Sequence, residues 1–162
     1  MNGFWQHIMP VLSARLERVV VRALENVRWG PLGEGLGLNI HPDTKLSIRC
    51  VEHLHYGSGG YLGMHQDSDS VWTVVVMLSA MEEYAGGESL LYEPISKAAV
   101  EPSDPLPLAT VELERGDMIV FHAERPHAVA DIKGGNRRVL VLEYWDYPES
   151  GAYDLRPDPI HV

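Results

Sequence analysis

The sequence is poor in cysteine: among its 162 residues the only thiol is that of Cys50. A single cysteine excludes an intrachain disulfide and also excludes a zinc site built from several thiolates. The fold must therefore depend on a packed apolar core, which a domain of this length can form. The low cysteine content also fits an intracellular, reducing compartment.

Long apolar runs are absent as well. No stretch approaches the roughly 20 residues that a helix needs to cross a bilayer. The start of the chain also lacks a basic segment followed by an uninterrupted apolar one. The sequence therefore predicts neither a membrane segment nor a secretory signal.

Basic residues are fewer than acidic ones. The sequence has 13 Lys and Arg and 23 Asp and Glu, which gives a net charge of −10. Such an acidic surface repels phosphate backbones, which argues against nucleic acid as a partner. The densest basic stretch, KGGNRR, carries only three positive charges. A basic peptide or a small neutral molecule is electrostatically the easier substrate to accept.

Residues 11–29 have the pattern of an amphipathic helix. Apolar residues recur at spacings of three and four, and charged residues fill the other face. The apolar positions are Leu12, Leu16, Val19, Val20 and Leu24. A stretch rich in glycine and proline follows and ends this element.

Residues 46–145 contain short apolar runs bounded by turn residues, which predict β-strands. EYAGGE and KGGNR are the clearest turns between them. Four prolines indicate a long rim loop at 93–108, and a Pro-rich, polar composition indicates a loosely held tail at 148–162. The predicted strands are LSIRCVEHL from residue 46, VWTVVVML (71–78), ESLLY (88–92), ATVEL (109–113), DMIVF (117–121), HAVADI (127–132) and RRVLVLEYW (137–145).

One helix followed by many short strands predicts a mainly β sandwich or barrel with the helix packed on the outside of one sheet. No internal repeat interrupts this pattern, and the length suits one domain. We therefore expect residues 1–162 to form a single domain.

The stretch YLGMHQD places His65 and Asp67 one residue apart. On a strand, such residues project from one face, roughly 6.5–7 Å apart, and can hold a metal ion between them. A third ligand must come from downstream, where His122, His127 and His161 are available. His127 is the preferred candidate because it begins an apolar strand, whereas His122 lies in a predicted turn and His161 in the tail.

Two histidines and one carboxylate form the facial triad of non-haem Fe(II) oxygenases, which leaves coordination positions open for chemistry. A closed set of four ligands would indicate structural zinc instead. Asp69 is a rival carboxylate, but it lies farther from His65 along the strand, so Asp67 is preferred.

Arg137 stands ten residues after His127, on the next predicted strand. A guanidinium there is placed to hold the carboxylate of an oxo-acid co-substrate through two hydrogen bonds. Arg138 is the competing candidate, because adjacent strand residues face opposite ways and VLVL is apolar on both faces. The spacing G-x-R favours Arg137.

The motifs follow one another along the chain in this order: LHYGSGGYLGMHQD, then GGE, then LERGDMIVFHAERPHAVADIKGGNRRVLVLEYW. The stretch, roughly residues 46–145, resembles the prolyl 4-hydroxylase-type group of Fe(II)/2-oxoglutarate dioxygenases. The resemblance implies a double-stranded β-helix, or jelly roll, with the N-terminal helix against one sheet. It also implies that the entire chain forms one dioxygenase domain.

Carried over by position, the resemblance implies that His65, Asp67 and His127 bind Fe(II). It implies that Arg137 binds the C5 carboxylate of 2-oxoglutarate and that Tyr56 contacts the other end of this co-substrate. A simple core role for the Tyr56 ring remains the alternative.

The implied activity consumes O2 and 2-oxoglutarate, releases succinate and CO2, and hydroxylates a substrate C–H group. Ascorbate is the expected reductant. The substrate is a peptide or protein residue, such as proline, or a small molecule. The alternative reading is a non-catalytic, cupin-like jelly-roll module that binds a metal, and a cupin-type enzyme is a third possibility.

The sequence departs from the family at two positions. A tyrosine that often contacts 2-oxoglutarate is replaced by Met77, and Thr73, on the same face of a regular strand, could supply a hydroxyl instead. The residue six positions after Arg137, usually aromatic or apolar, is Glu143, an acid that needs a partner if it is buried.

Overall fold

The computed structural model describes most of the predicted β region and the N-terminal helix. The predicted rim loop up to residue 107, the tail at 148–162, Asp69 and His161 lie outside the described residues. The chain divides into two compact units, Met1–Ser47 with Asp146–Val162, and Ile48–Trp145, and its single-domain character stays a prediction. The described residues are 4–26, 46–67, 70–92 and 108–146.

The first unit contains two helices, α1 (Phe4–Ile8) and α2 (Pro10–Asn26). α2 confirms the amphipathic helix, and it begins at a proline because the first helical position needs no backbone donor. Leu16 and Val20 are buried as predicted, whereas Val19 is 41% exposed. Neither described helix combines the length and apolar character that a bilayer crossing requires.

The second unit consists of two β-sheets. One has the strand order β1-β9-β3-β7, with β4 also pairing with β9, and the other has the order β2-β8-β5-β6. These two sheets confirm the predicted jelly roll. The strands are β1 (Leu46–Gly57), β2 (Leu62–His65), β3 (Trp72–Met77), β4 (Tyr84–Gly86), β5 (Ser89–Leu91), β6 (Ala109–Val111), β7 (Met118–His122), β8 (His127–Val129) and β9 (Ile132–Asp146).

β3 lies between β7 and β9 and determines which side chains face the interior. Its Thr73 lies opposite Phe121 of β7 and Glu143 of β9, in antiparallel register. Since side chains alternate along a strand, Thr73 and Val75 share a face. That face lines a cavity, as do Phe121 and Glu143. Residues of the second sheet line it as well, so the cavity lies inside the jelly roll.

The prediction of a turn at KGGNR is wrong, because these residues belong to the continuous strand β9. Tyr84 of β4 lies opposite Gly135, and Ala85 lies opposite Gly134. Gly135 has φ 78°, and a Cβ atom there would lie 2.1 Å from the Glu83 carbonyl oxygen. Gly135 thus serves close strand pairing rather than chain reversal.

Candidate functional site

His65, Asp67 and His127 meet at one wall of the cavity. Nε2 of His65 lies 3.5 Å from Oδ1 of Asp67, and Nε2 of His127 lies 3.5 Å from Oδ2. The two imidazole rings are 4.1 Å apart between centroids. Two ligand atoms that are each roughly 2.1 Å from one ion lie at most about 4.2 Å apart, so both histidine–aspartate separations suit a shared metal.

The pairing of β2 with β8 brings the two histidines together. His65 ends β2, His127 begins β8, and the two residues lie directly opposite each other. Asp67, however, lies beyond the end of β2, so the expectation that it shares a strand face with His65 is wrong. Its backbone N–H donates to the Ala123 carbonyl at 3.0 Å, and this bond turns the carboxylate back toward the histidines.

Both imidazoles are oriented by backbone carbonyls. Nδ1 of His65 lies 2.9 Å from the Gly63 oxygen, and Nδ1 of His127 lies 2.9 Å from the Arg125 oxygen. Since a carbonyl only accepts, each neutral ring carries its proton on Nδ1 and leaves the Nε2 lone pair facing Asp67. This tautomer is the one a metal ligand needs, so the donor set fits a divalent metal ion.

The charges of the three residues are coupled. When His65 is protonated, its Nε2–H donates to Asp67, which raises the pKa of His65, with burial opposing it. Burial raises the pKa of Asp67, but hydrogen bonds from His65 and Thr73 and the nearby His127 hold it below its ordinary value. Burial lowers the pKa of His127 and outweighs the Arg125 carbonyl and Asp67. The site is therefore arranged around one ionised carboxylate.

These directions predict how metal affinity depends on pH. As the pH falls through the raised pKa of His65, above the ordinary 6.5, a proton competes with the metal, whereas His127 is still neutral. Affinity for Co(II) should fall about tenfold per pH unit in this range, because one proton is displaced. Competition titrations between about pH 6 and 8 measure the slope. A dependence of about a hundredfold per unit, or none, contradicts the assignment.

Thr73 is completely buried and donates its hydroxyl hydrogen to Oδ2 of Asp67. Its predicted contact with 2-oxoglutarate stays a prediction, while the structure shows a role in orienting the carboxylate. Met77 does not line this cavity. It packs in a core cluster with Leu113 and Val139 and, like Arg137, borders a second cavity, so the expectation that Met77 takes the position of the family tyrosine stays a prediction.

Arg137 is 1% exposed and lines the same cavity. Its Nη2 donates to the Ser89 hydroxyl at 3.0 Å, while Nε and Nη1 have no hydrogen-bond partner among the described residues. Burial lowers the pKa of Arg137, and the nearby hydroxyls of Tyr84 and Tyr56 oppose this effect. Burying a cation whose N–H groups have no hydrogen-bond acceptor costs free energy. The geometry therefore suits an anionic ligand that would accept these hydrogen bonds.

Arg138 points the other way. Its guanidinium bonds Oε2 of Glu83 at 2.5 Å, and its backbone N–H donates to the Ser79 hydroxyl at 3.0 Å. Of the two arginines left open by the sequence, only Arg137 lines the cavity. The ring of Tyr56 also lines it, 5.5 Å from the Arg137 guanidinium carbon.

Sequence reasoning missed two residues that support Arg137. Gly87 has φ 72°, and a Cβ atom there would lie 3.0 Å from Arg137 Cδ and 2.3 Å from Ile132 Cδ1. The glycine therefore makes room for the arginine. Ser89, the second residue, is a small hydroxyl on the inward face of an apolar strand, and this local signal could have identified it.

Glu143 is buried, at 8% exposure, and lines the cavity. The partner that such an acid requires is Arg49, whose Nη1 lies 2.6 Å from Oε2. The Ser70 hydroxyl donates to the same oxygen. The departure from the family pattern at this position is thus compensated by an ion pair.

The remaining histidine candidates stay outside the cluster. His122 ends β7 rather than lying in a turn, and its ring packs edge-on against Trp72. His53 and His55, which also stand one residue apart, are exposed, and His55 Nε2 lies 2.9 Å from Asn136 Oδ1. Among the described residues, His65, Asp67 and His127 form the one cluster suited to a metal.

In a comparison with known families, residues 51–145 match the family model described as the 2OG-Fe(II) oxygenase superfamily. The matched range contains the three clustered residues, Arg137 and Glu143. None of the curated proteins compared with the chain matches it.

Solved structures share the fold at low sequence identity. An oxidoreductase of the 2OG-Fe(II) oxygenase family from Burkholderia pseudomallei is 22% identical, with a TM-score of 0.52 and coverage of 72% of this chain and 49% of that one. A truncated viral collagen prolyl hydroxylase from Paramecium bursaria Chlorella virus-1 is 20% identical, with a TM-score of 0.50 and coverage of 72% and 65%. The chain thus spans about half to two thirds of their lengths.

Proposed function

Because the chain belongs to the 2OG-Fe(II) oxygenase superfamily, we propose that it binds Fe(II) through His65, Asp67 and His127 and uses 2-oxoglutarate and O2 to hydroxylate a substrate. The convergence of these three donor groups on one point carries the proposal. The carboxylate of Asp67 favours hydroxylation over halogenation, since halogenating relatives leave that position to chloride.

When bound, iron supplies the redox chemistry that couples 2-oxoglutarate decarboxylation to C–H oxidation. The residues of the chain hold and orient the reactants. Two imidazole nitrogens and one carboxylate hold the metal while leaving part of its coordination sphere open. Thr73 restrains the Asp67 carboxylate, and the Gly63 and Arg125 carbonyls fix the ring orientations.

Arg137 is proposed to bind the C5 carboxylate of 2-oxoglutarate. Its unpaired Nε and Nη1 would then find charged acceptors in a site shielded from water, where such hydrogen bonds are strong. Tyr56 lies close enough to contact the same co-substrate. The non-catalytic, cupin-like alternative is less favoured, because it gives the buried guanidinium no ligand.

The experiment that tests the function is succinate release from 2-oxoglutarate by the iron-loaded chain, with and without ascorbate. We expect slow, iron-dependent release even before the substrate is known. If no succinate forms under any of these conditions, the proposed function is wrong. Prolyl hydroxylation and the need for ascorbate stay predictions.

Ser89 is expected to act as a positioning residue for Arg137. Ser89→Ala removes the acceptor of the bond from Nη2, so the affinity for 2-oxoglutarate should fall roughly tenfold, while turnover at saturating 2-oxoglutarate stays near the wild-type value. Ser89→Thr should restore affinity. The matched control is Ser79→Ala, which removes a hydroxyl bound to Arg138 instead. Equal effects of the two alanine variants on 2-oxoglutarate affinity would contradict this role.

A further inference from the structure

A second cavity adjoins Arg137. Its lining includes Met77, Tyr84 and Gly87, and Arg137 is the one described residue that borders both cavities. The guanidinium is therefore part of the wall between them. A carboxylate bound at Arg137 would lie close to side chains of the second cavity as well as to those of the first.

The pairing of β4 with β9 brings Tyr84 to this arginine. Tyr84 lies directly opposite Gly135, two residues before Arg137. The two strands approach closely here, since a Cβ atom on Gly135 would lie 2.8 Å from the Tyr84 Cα atom. Burial lowers the pKa of Arg137, and the Tyr84 hydroxyl is first among the groups that oppose this effect. The hydroxyl thus lies beside the guanidinium.

The Tyr84 hydroxyl donates to a weak acceptor. Among the described residues, this acceptor is Sδ of Met77, at 3.9 Å, and a thioether sulfur accepts hydrogen bonds only weakly. The Tyr84 ring packs against the core cluster that contains Met77, Leu113 and Val139, and a phenylalanine ring would pack there equally well. The packing therefore does not require the hydroxyl, which is available to donate to a ligand.

A buried carboxylate needs more donors than Arg137 can supply. A guanidinium offers one carboxylate at most two N–H groups, from a single edge of its plane, whereas the two carboxylate oxygens have about four lone-pair sites. Nη2 of Arg137 already donates one hydrogen to the Ser89 hydroxyl. Acceptor sites that are left without a donor away from water cost free energy. A further hydroxyl beside the guanidinium would reduce this cost.

Tyr56 also lies beside Arg137 but presents a different group to it. The guanidinium carbon lies over the Tyr56 ring, 5.5 Å from its centroid, an arrangement in which the ring face stabilises the cation. Tyr56 thus stabilises the charge of Arg137, and Tyr84 is the tyrosine whose hydroxyl is left to donate to a carboxylate bound there.

We propose that the Tyr84 hydroxyl donates a hydrogen bond to the distal carboxylate of the co-substrate and, together with Arg137, selects an oxo acid with two carboxylates. This role rests on the proposed function, which assigns that carboxylate to Arg137. The hydroxyl therefore matters for the binding of 2-oxoglutarate. It does not matter for an oxo acid of the same length that ends in a methyl group.

The test compares 2-oxoglutarate with 2-oxopentanoate, in which a methyl group replaces the distal carboxylate. Both are titrated into the Co(II)-loaded full chain, and the visible spectrum follows binding. Because a hydrogen bond to a charged group is lost, Tyr84→Phe should lower the affinity for 2-oxoglutarate roughly tenfold or more and leave the affinity for 2-oxopentanoate unchanged. An unchanged affinity for 2-oxoglutarate, or an equal loss for both oxo acids, overturns the proposal.

Tyr61→Phe is the matched control, since this tyrosine is 65% exposed and borders neither cavity. It should leave both affinities at their wild-type values. Both variants retain the aromatic ring, so the fold should be kept.

A double variant separates a direct contact from an effect that acts through the guanidinium. When Tyr84→Phe is added to Arg137→Lys, the affinity for 2-oxoglutarate should again fall roughly tenfold, because the hydroxyl contacts the carboxylate itself. If this addition causes no further loss, Tyr84 acts only on the guanidinium, and the direct contact is refuted.

The two proposals can fail separately. If Arg137→Met loses affinity for 2-oxoglutarate while Tyr84→Phe does not, the role of Tyr84 is refuted and the proposed function stands. If Tyr84→Phe weakens the binding of 2-oxoglutarate alone but the iron-loaded chain releases no succinate, the role of Tyr84 in binding stands and the oxygenase function fails.

Discussion

Replacing His127 with alanine is expected to abolish both metal binding and succinate release. His127 provides one of the three donors that the described residues bring together at the site, and its Nε2 lies 3.5 Å from Asp67 Oδ2. Because losing a residue that merely supports a ligand typically weakens metal binding 10- to 100-fold, removing a ligand should weaken it by more than about 100-fold. Co(II) binding followed by its visible spectrum measures the loss.

His122→Ala is the matched control for this change. His122 lies five residues away in the same β7–β8 region, and its ring packs against Trp72 rather than in the cluster. The control should lose some thermal stability but retain its metal affinity. If His127→Ala binds Co(II) as tightly as the wild type, or if both variants lose affinity equally, His127 is not a ligand.

Arg137→Met is expected to remove most of the affinity for 2-oxoglutarate while leaving metal binding intact. Methionine retains much of the apolar stem but none of the donors, so the co-substrate carboxylate would lie in a buried site without a cation. Losing one partner of a buried charge pair costs about 2–5 kcal/mol, which corresponds to a weakening of roughly 30-fold or more. Titration of the Co(II)-loaded protein with 2-oxoglutarate measures it.

Arg138→Met provides the control, since this neighbouring arginine bonds Glu83 on the other face of the strand. Its 2-oxoglutarate affinity should equal that of the wild type. Arg137→Lys retains the charge but loses the planar pair of donors, so its affinity should be intermediate. Unchanged affinity in Arg137→Met, or an equal loss in Arg138→Met, would refute the anchor.

Much of the site could be predicted from the sequence because its signals are local. His65 and Asp67 are one residue apart, and His127 begins an apolar strand, so strand periodicity alone made them candidates. The convergence of these residues depends on the β2–β8 register, which short motifs indicate only through a family resemblance. Asp67 lies beyond the end of β2, where its backbone N–H donates to the carbonyl of Ala123, a residue far away in the sequence.

Other features depend on contacts between segments far apart in the sequence. The glycines of KGGNR have the composition of a turn, but pairing with β4 keeps them in a strand. The alternation of apolar residues did not separate Arg137 from Arg138, because VLVL is apolar on both faces. The contacts that distinguish the two arginines are with Ser89 on one face and Ser79 on the other. Neither serine has a local sequence relation to its arginine.

The central claim is that His65, Asp67 and His127 bind one metal ion together. An anaerobic crystal structure of the Fe(II)-loaded protein, with anomalous data at the iron edge, tests it most directly. The account predicts a single strong iron peak bonded to both Nε2 atoms and to a carboxylate oxygen of Asp67, with Arg137 facing the open side. An iron peak elsewhere, or one that lacks a bond to His127, would contradict it.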